Sequence, residues 1–457
     1  MKGWDAQQIA IAAGADLLTA PTSAIGGPTS VTIDSREAGP GVLFVGLPGE
    51  RAHGGAFAPH ALAAGVWGVL TDHEHARQLD GGVVLAAEDP LRALQQLATA
   101  WRVELGGSSG LQVIGVTGST GKTSTKDLLL AVLSPHRVTA ASRANFNTEI
   151  GLPLELLRTP AGTELLILEM GMRGPGQIAE LTAIALPDVA VIVSIGPVHL
   201  ELLGSIEAIA AAKAELIAGL APGATAVVPV DEALLTPHLR KDLNTVTFGT
   251  GGDVAVTSET DDRVEILASG TPISLTVDFT QAHLRRNLLA AVAAACAVGV
   301  TPEGNVALAL SPGRGQHVQL AGGVTLLDDS YNANPMSMRA ALDELAATAR
   351  RAGGRRTIAV LGDMLELGPD AVSFHREIGA YAAARADILV SVGPLAAAIS
   401  GGFPHEHHHA GDAGAAAALL PELVHDGDVV LVKASRGVHL ELVCAALSAT
   451  GRTGATA

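Results

Sequence analysis

Near-continuous apolar runs set the rhythm of this chain, each followed by a turn with Gly, Asp or Ser and then an Ala/Leu-rich stretch of helical spacing. The runs are LQVIGV (111–116), TELLILEM (163–170), DVAVIVS (188–194), TIAVLGD (357–363), DILVSVG (387–393) and DVVLVKAS (428–435). A strand apolar on both faces belongs inside a parallel sheet covered by helices on each side, so the pattern predicts an α/β protein. Residues 253–280 alternate apolar and polar positions instead and predict a small antiparallel patch. Two stretches interrupt the rhythm. GGSSG (106–110) has the composition of a flexible linker, and SPGRGQ (311–316) separates a helical pair from a new strand. They predict three domains, 1–107, 108–312 and 313–457, as 457 residues are too many for one ordinary core. No short-period repeat is evident, and the small, polar tail SATGRTGATA (448–457) is expected to fray.

Composition narrows the function classes. Hydrophobic residues at 48% and charged residues at 16% supply packed interiors and argue against disorder. With 7 Phe, 2 Tyr and 3 Trp the chain is poor in stacking platforms, and a formal net charge of −17 repels a phosphate backbone, so no nucleic-acid partner is expected. Cys296 and Cys444 are the only cysteines, which excludes a disulfide framework and a cysteine-based zinc site. The longest strongly apolar stretch, Leu288 to Val300, falls short of the roughly 20 residues that span a bilayer. Asp5 and Asp16 interrupt the apolar pattern near the start, and no signal peptide is evident. These features predict a cytoplasmic, acidic, multidomain protein without membrane insertion.

The strongest chemical signal is VTGSTGKTST (116–125), directly after the strand LQVIGV and opening a helix. Gly118 and Gly121 allow backbone amides to wrap a phosphate, and the helix N-terminus adds a favourable dipole. Lys122 suits the outer phosphates and Thr123 suits Mg2+, although Val116 stands where a strict P-loop has its first glycine. Glu169 lies at the carboxyl end of another buried strand, where it fits a metal-ligating carboxylate or a polar strand terminus equally well. His199, beyond a third strand, and Lys213, on the helical stretch after it, are left open by composition.

Taken together, TGSTGKTS, LEMGMRG, GPVHLELLGS with AKAE, and HLRRNLLAA resemble the Mur ligase superfamily in order and spacing. These are ATP-dependent amide-bond ligases of peptidoglycan precursor synthesis. The strings DSYNANP (329–335), LGDMLELG (361–368), FHREIG (374–379) and KASRGVHLE (433–441) look like the branch that adds D-alanyl-D-alanine, and DSREAGPGVLFVGLPGE (34–50) resembles that branch's uridine-nucleotide domain. The resemblance implies a three-domain architecture with a central P-loop ATPase-like parallel sheet and a Rossmann-like C-terminal domain. It implies ATP, two Mg2+ ions, UDP-N-acetylmuramoyl-tripeptide and D-alanyl-D-alanine as ligands of a monomeric enzyme.

By that resemblance, Gly118, Ser119, Thr120, Gly121, Lys122, Thr123 and Ser124 hold the ATP phosphates and Asn287 meets the adenine. Thr123 and Glu169 ligate one Mg2+, and His199 and Lys213 serve the second, with Lys213 carried as a carbamate. Arg314 and Asp329 close on the nucleotide from the third domain. Ser35 and Arg36 meet the uridine diphosphate, and Asn145 and Asn147 face the muramoyl peptide. Asn332, Asn334, Lys433, Ser435 and Arg436 belong to the third domain's site. Lys122 is expected to face solvent.

Four departures from the family strings stand out. His283-Leu284 replaces His-Asn, Ala434 replaces a glycine, RAHGG (51–55) replaces an Asp-Gly-His string and PVDE (229–232) replaces an Asn-Ala-Asp string. None removes a metal or phosphate group. HEHHH (405–409) lacks fixed metal-ligand spacing and reads as a solvated loop, and Met336 and Met338 read as packing residues. A sibling ligase adding one amino acid is the rival within enzymes, yet its Asp-Asn-Pro-Arg string is absent. A non-catalytic nucleotide-binding relative is the rival outside them.

Overall fold

The computed structural model describes residues 1, 3–21, 26–143 and 145–453. All six apolar runs form strands: Gln112–Thr117, Leu165–Glu169, Val189–Ile192, Thr357–Gly362, Ile388–Val392 and Val429–Lys433. Among the described residues the strands make up three sheets. The first orders Asp16–Thr19, Val83–Ala87, Gly68–Asp72, Val42–Val45 and Ser30–Thr32, parallel except for its Asp16–Thr19 edge.

The second sheet has ten strands. Gln112–Thr117 lies between Leu165–Glu169 and Val189–Ile192, parallel to both. Its alternate residues serve opposite faces, as the two-residue period of a strand requires. Ile114 and Val116 join Leu128, Leu129 and Leu288 on one side, whereas Val113 joins Ile178, Ile209 and Leu216 on the other. Both faces are therefore dry, which is why the run reads as continuously apolar. Beyond Thr225–Pro229 and Asn244–Phe248 the sheet turns antiparallel over Val254–Glu259, Arg263–Ala268 and Thr271–Val277. The alternating segment is thus an extension of the main sheet, joined to it where Phe248 pairs with Val254.

The third sheet orders Gln316–Gln319, Thr325–Asp328, Val429–Lys433, Thr357–Gly362, Ile388–Val392 and Glu406–Ala410, with its first pair antiparallel. The whole is the α/β architecture that the pattern predicts. No helix among the described residues is long and apolar enough to cross a membrane.

Three local expectations are corrected. GGSSG is no flexible linker: the helix Pro90–Ser109 runs through it, across the expected 107/108 division, and stops at Gly110 in a left-handed cap. Each glycine in a helix interior costs about 1 kcal/mol, but tertiary contacts hold this helix. Leu94, Leu97, Trp101 and Leu105 are buried, Arg102 donates to the Ala185 and Leu186 carbonyls and to Asp188 Oδ2, and Trp101 Nε1 donates to Thr159 O. HEHHH supplies an edge strand instead of a loop, because Glu406–Ala410 pairs in parallel with Ile388–Val392. His409 hydrogen-bonds Ser391 Oγ at 2.9 Å and His405 Nε2 donates to Ala383 O at 3.0 Å. The tail continues the helix Glu441–Thr453, and residues 454–457 lie outside the described residues.

In the third domain the helix Ala371–Ala382 crosses Ala397–Gly402 closely at Gly379, where a Cβ would fall 2.0 Å from the Ile399 carbonyl oxygen. Gly379→Ala should therefore destabilise the protein by about 2 kcal/mol, read as a lower denaturation midpoint in a thermal melt.

Candidate active site

The P-loop connects the strand Gln112–Thr117 to the helix Lys122–Leu133. Gly121 has φ +80°, and a Cβ there would lie 2.9 Å from both Asn287 Nδ2 and Val193 Cγ1, so no other residue fits. This contact brings Asn287, from the helix Ala282–Ala297, against the loop. Ser119 Oγ donates to Gly196 O and accepts Gly196 N–H, while Thr120 N–H donates to Ser194 Oγ, tying the loop to residues 194–196. Lys122 departs from the expectation of a solvent-facing side chain. It is half-buried and its Nζ donates to Gly118 O at 2.7 Å. Burial lowers its pKa, with Arg314 adding to the effect and Glu169 opposing it.

Thr123 Oγ1 donates to Glu169 Oε2 at 2.8 Å, and Asn147 Nδ2 donates to the other carboxylate oxygen at 2.9 Å. Glu169 is buried, and its amide donates to Ser142 Oγ. Two hard oxygen donors thus meet at the mouth of the loop. Nearby, Lys213 on the helix Ile206–Ala218 is 1% exposed and makes no hydrogen bond or ion pair among the described residues. Burial, reinforced by the Lys122 charge, holds its pKa well below that of an ordinary amine. His199 sits in a left-handed conformation with Nδ1 2.5 Å from Glu366 Oε2 of the third domain. Burial lowers its pKa against the opposing pull of Glu366.

The third domain supplies the facing wall. Arg314 stacks on the Tyr331 ring at 3.9 Å, and Arg436 Nη1 donates to Tyr331 Oη at 2.8 Å. Lys433 is buried, with Nζ donating to Asp329 Oδ2 at 2.6 Å and Asn332 O at 2.8 Å. Burial lowers its pKa, opposed by Asp329. Two expected site residues are occupied in framework contacts. Asn334 caps the helix Pro335–Arg351 through Ser337 N–H, and Ser435 Oγ accepts Leu365 N–H and donates to Ala333 O.

Most of these groups border one cleft of about 1070 Å3. Of the expected residues, Ser119 to Ser124, Asn145, Asn147, Glu169, His199, Asn287, Arg314, Asp329, Asn332, Asn334, Lys433, Ser435 and Arg436 line it. Gly118 and Lys213 do not line it, and Ser35 and Arg36 lie away from it in the first domain. There Arg36 is highly exposed and pairs bidentately with Asp34. That carboxyl is held at about 2, first by the Arg36 side chain and then by its backbone N–H.

Sequence reasoning missed Tyr331, His283 and Glu366, which also line the cleft. Tyr331 lies inside DSYNANP and is one of only 2 tyrosines, which was a usable signal. Two of the departures are benign in position: Leu284 is buried in the core, and Ala434 is not among the residues of positive φ, so its backbone needs no glycine. Met338 is fully buried, as expected of a packing residue, whereas Met336 lines the cleft and packs its sulfur against Gly196.

His53, Asp72 and His75 gather in the first domain at metal-ligand distances. Gly55 N–H donates to His53 Nδ1, however, so the ring hydrogen resides on Nε2, which faces Asp72 Oδ2 at 3.4 Å. A nitrogen that carries its hydrogen offers no lone pair to a metal.

A P-loop sheet facing a Rossmann-like domain across one polar cleft defines a class of nucleotide-dependent enzyme. Models of the Mur ligase family, catalytic domain (residues 28–102), the Mur ligase middle domain (116–295) and the Mur ligase, glutamate ligase domain (313–436) all match. The chain belongs to the Mur ligase family. It is 37% identical over 423 residues to the UDP-N-acetylmuramoyl-tripeptide--D-alanyl-D-alanine ligase of Bacillus subtilis (strain 168), covering 90% of this chain and 91% of that one. Against the ligase of the same name from Escherichia coli (strain K12) it is 33% identical, covering 92% and 94%. MurF from Acinetobacter baumannii superposes with a TM-score of 0.85 at 29% identity over 98% of this chain and 99% of that one. The MurF ligase of Thermotoga maritima in complex with ADP gives 0.81 at 31% identity, over 93% and 98%.

Proposed function

We propose that this chain is the ATP-dependent ligase that joins D-alanyl-D-alanine to UDP-N-acetylmuramoyl-tripeptide in peptidoglycan precursor synthesis. The observation that carries this reading is the convergence of P-loop, buried carboxylate and third-domain cations on one cleft. A carboxylate is a poor electrophile with a poor leaving group. Phosphorylation of the tripeptide's terminal carboxylate by ATP corrects both faults by forming an acyl phosphate. The dipeptide's amine then attacks, and phosphate leaves from the tetrahedral intermediate.

The chain's own groups position and neutralise charge. Lys122 and the loop amides bind phosphates, Asn287 lies beside the loop for the adenine, and Arg314 and Asp329 approach from the third domain. Thr123 and Glu169 fit one Mg2+, since their oxygens already lie 2.8 Å apart. His199 and Lys213 would hold the second. An ammonium cannot ligate Mg2+, but a carbamate on the unpaired Lys213 amine presents anionic oxygens. The ions supply neutralisation of the phosphoryl charge. Asn145 and Asn147 serve the muramoyl peptide. For the incoming dipeptide, Arg436 offers a guanidinium, while Lys433, Asn332, Asn334 and Ser435 shape the wall. Docking of the third domain excludes the water that would hydrolyse the acyl phosphate.

The division into 1–107, 108–312 and 313–457, a monomeric state and a cytoplasmic location belong to the same proposal. The first division rests on the composition of GGSSG, and the helix Pro90–Ser109 spans it.

The test is phosphate release from ATP and UDP-N-acetylmuramoyl-tripeptide. Release that depends on D-alanyl-D-alanine is expected. Release driven by a single amino acid would identify a sibling ligase, and none with any acceptor would identify a binding protein. Arg36→Ala should raise the KM for the uridine-linked substrate roughly tenfold, the worth of one charge-assisted hydrogen bond, and leave that for ATP unchanged. Equal changes in both would assign Arg36 to structure.

A further inference from the structure

Glu366 has no part in the chemistry above, yet it reaches the centre of the site from a different domain. Its Oε2 lies 2.5 Å from His199 Nδ1, a hydrogen bond between residues 167 apart in the chain. Both partners have left-handed backbones, φ +55° at His199 and +62° at Glu366. Only five non-glycine residues among those described have positive φ, and two of them meet in this one bond. Such conformations persist where the surroundings over-determine them, and they concentrate at functional sites.

The surroundings here do so. Met364 N–H donates to Nε2 of the fully buried His375 at 2.9 Å, and Leu365 N–H donates to Ser435 Oγ at 2.9 Å. The two amides before Glu366 are thereby fixed. Across the boundary, Glu201 N–H donates to Glu366 O at 3.4 Å, and Gly368 rests with its Cβ position 3.4 Å from Glu201 Cα. The carboxylate's other oxygen is 3.9 Å from Arg173 Nε.

We propose that Glu366 is a positioning residue of the second metal site. It accepts the Nδ1 hydrogen of His199, so the Nε2 lone pair is left for the metal, and it does this only when the third domain is docked. A carboxylate behind a metal-binding imidazole fixes the ring's tautomer and orientation and raises its basicity. Because the carboxylate comes from the third domain, domain docking and metal-site formation become one event. The inference rests on the reading of His199 as a ligand of the second Mg2+.

The experiment is a Mn2+ titration of the full chain, followed by electron paramagnetic resonance, with a non-hydrolysable ATP analogue present. Wild type should bind two Mn2+. Glu366→Ala should weaken the second ion about 10–100-fold while the first ion and the analogue change less than about twofold. Glu366→Gln, whose amide oxygen still accepts from Nδ1, should retain most of the affinity. His199→Ala should weaken the same ion, and adding Glu366→Ala should cost nothing further, since both act through one ring. Should Glu366→Ala not fold, Glu366→Asp draws the carboxylate back by one methylene and carries the same comparison. Unchanged affinity for both ions in Glu366→Ala (or Glu366→Asp in its place), or losses that add in the double variant, would overturn the inference while leaving the ligase reading intact. A wild type that binds one Mn2+ would instead remove the two-metal reading beneath it.

Discussion

Lys122→Ala should lower D-alanyl-D-alanine-dependent phosphate release by about 10^3-fold or more, the scale of losing roughly 4 kcal/mol of transition-state stabilisation. Its Nζ lies within the electrostatic reach of Glu169 and Arg314, at the place where loop, carboxylate and third-domain cation converge. Stability should hardly change. The side chain's hydrogen bond is to Gly118 O, whose net worth is about 1 kcal/mol. Against that, the folded protein holds this ammonium in a site where burial depresses its pKa, which works against folding while the group is charged. The two effects oppose each other. Lys122→Arg should not rescue, because a planar fork cannot replace a compact ammonium curled against the Gly118 carbonyl. A thermal melt together with steady-state kinetics checks both halves. Near-wild-type turnover by a folded variant would end the assignment of this loop to ATP.

The second large effect is expected at Lys213. Wild-type protein supplied with 13C-labelled bicarbonate should show a carbamate carbonyl resonance that is absent from Lys213→Arg. That variant should lose at least about 10^2-fold in activity, as expected when a metal ligand is removed. The physical case is specific. Carbamate formation consumes an unprotonated amine, and burial together with the nearby Lys122 charge holds the Lys213 pKa well below the ordinary range, which enlarges the neutral fraction near pH 7. A buried ammonium normally has a counter-charge, and none contacts this one among the described residues. Thorough removal of CO2 should lower wild-type turnover, and returning bicarbonate should restore it. Full activity without CO2, together with no resonance, would leave Lys213 acting as an amine.

What could be read in the chain beforehand was local. The P-loop was legible because Gly121, Lys122 and Thr123 act through adjacent backbone amides, so their spacing is their geometry. The six parallel strands were legible because burial on both faces leaves no polar alternation. The antiparallel segment after residue 253 was legible from the alternation itself. Glu169 could be placed at a strand's carboxyl end, but its hydrogen bonds to Thr123 and Asn147 depend on three separate segments meeting.

Tertiary structure decided the rest. Gly106 and Gly107 read as a linker, yet the packing of Trp101 and Leu105 and the hydrogen bonds of Arg102 carry the helix past them. His405 to His409 read as a loop until a neighbouring strand supplied its ladder. Asn334 and Ser435 looked like ligand-binding groups, but their side chains cap a helix and brace the loop that carries Glu366. Glu366 lies inside the string LGDMLELG, but its partner is on another domain and could not be read from it. Strand and loop chemistry follow from neighbours in sequence. The burial of Lys213 and the meeting of His199 with Glu366 follow from how separate domains close on one another, which no local pattern encodes.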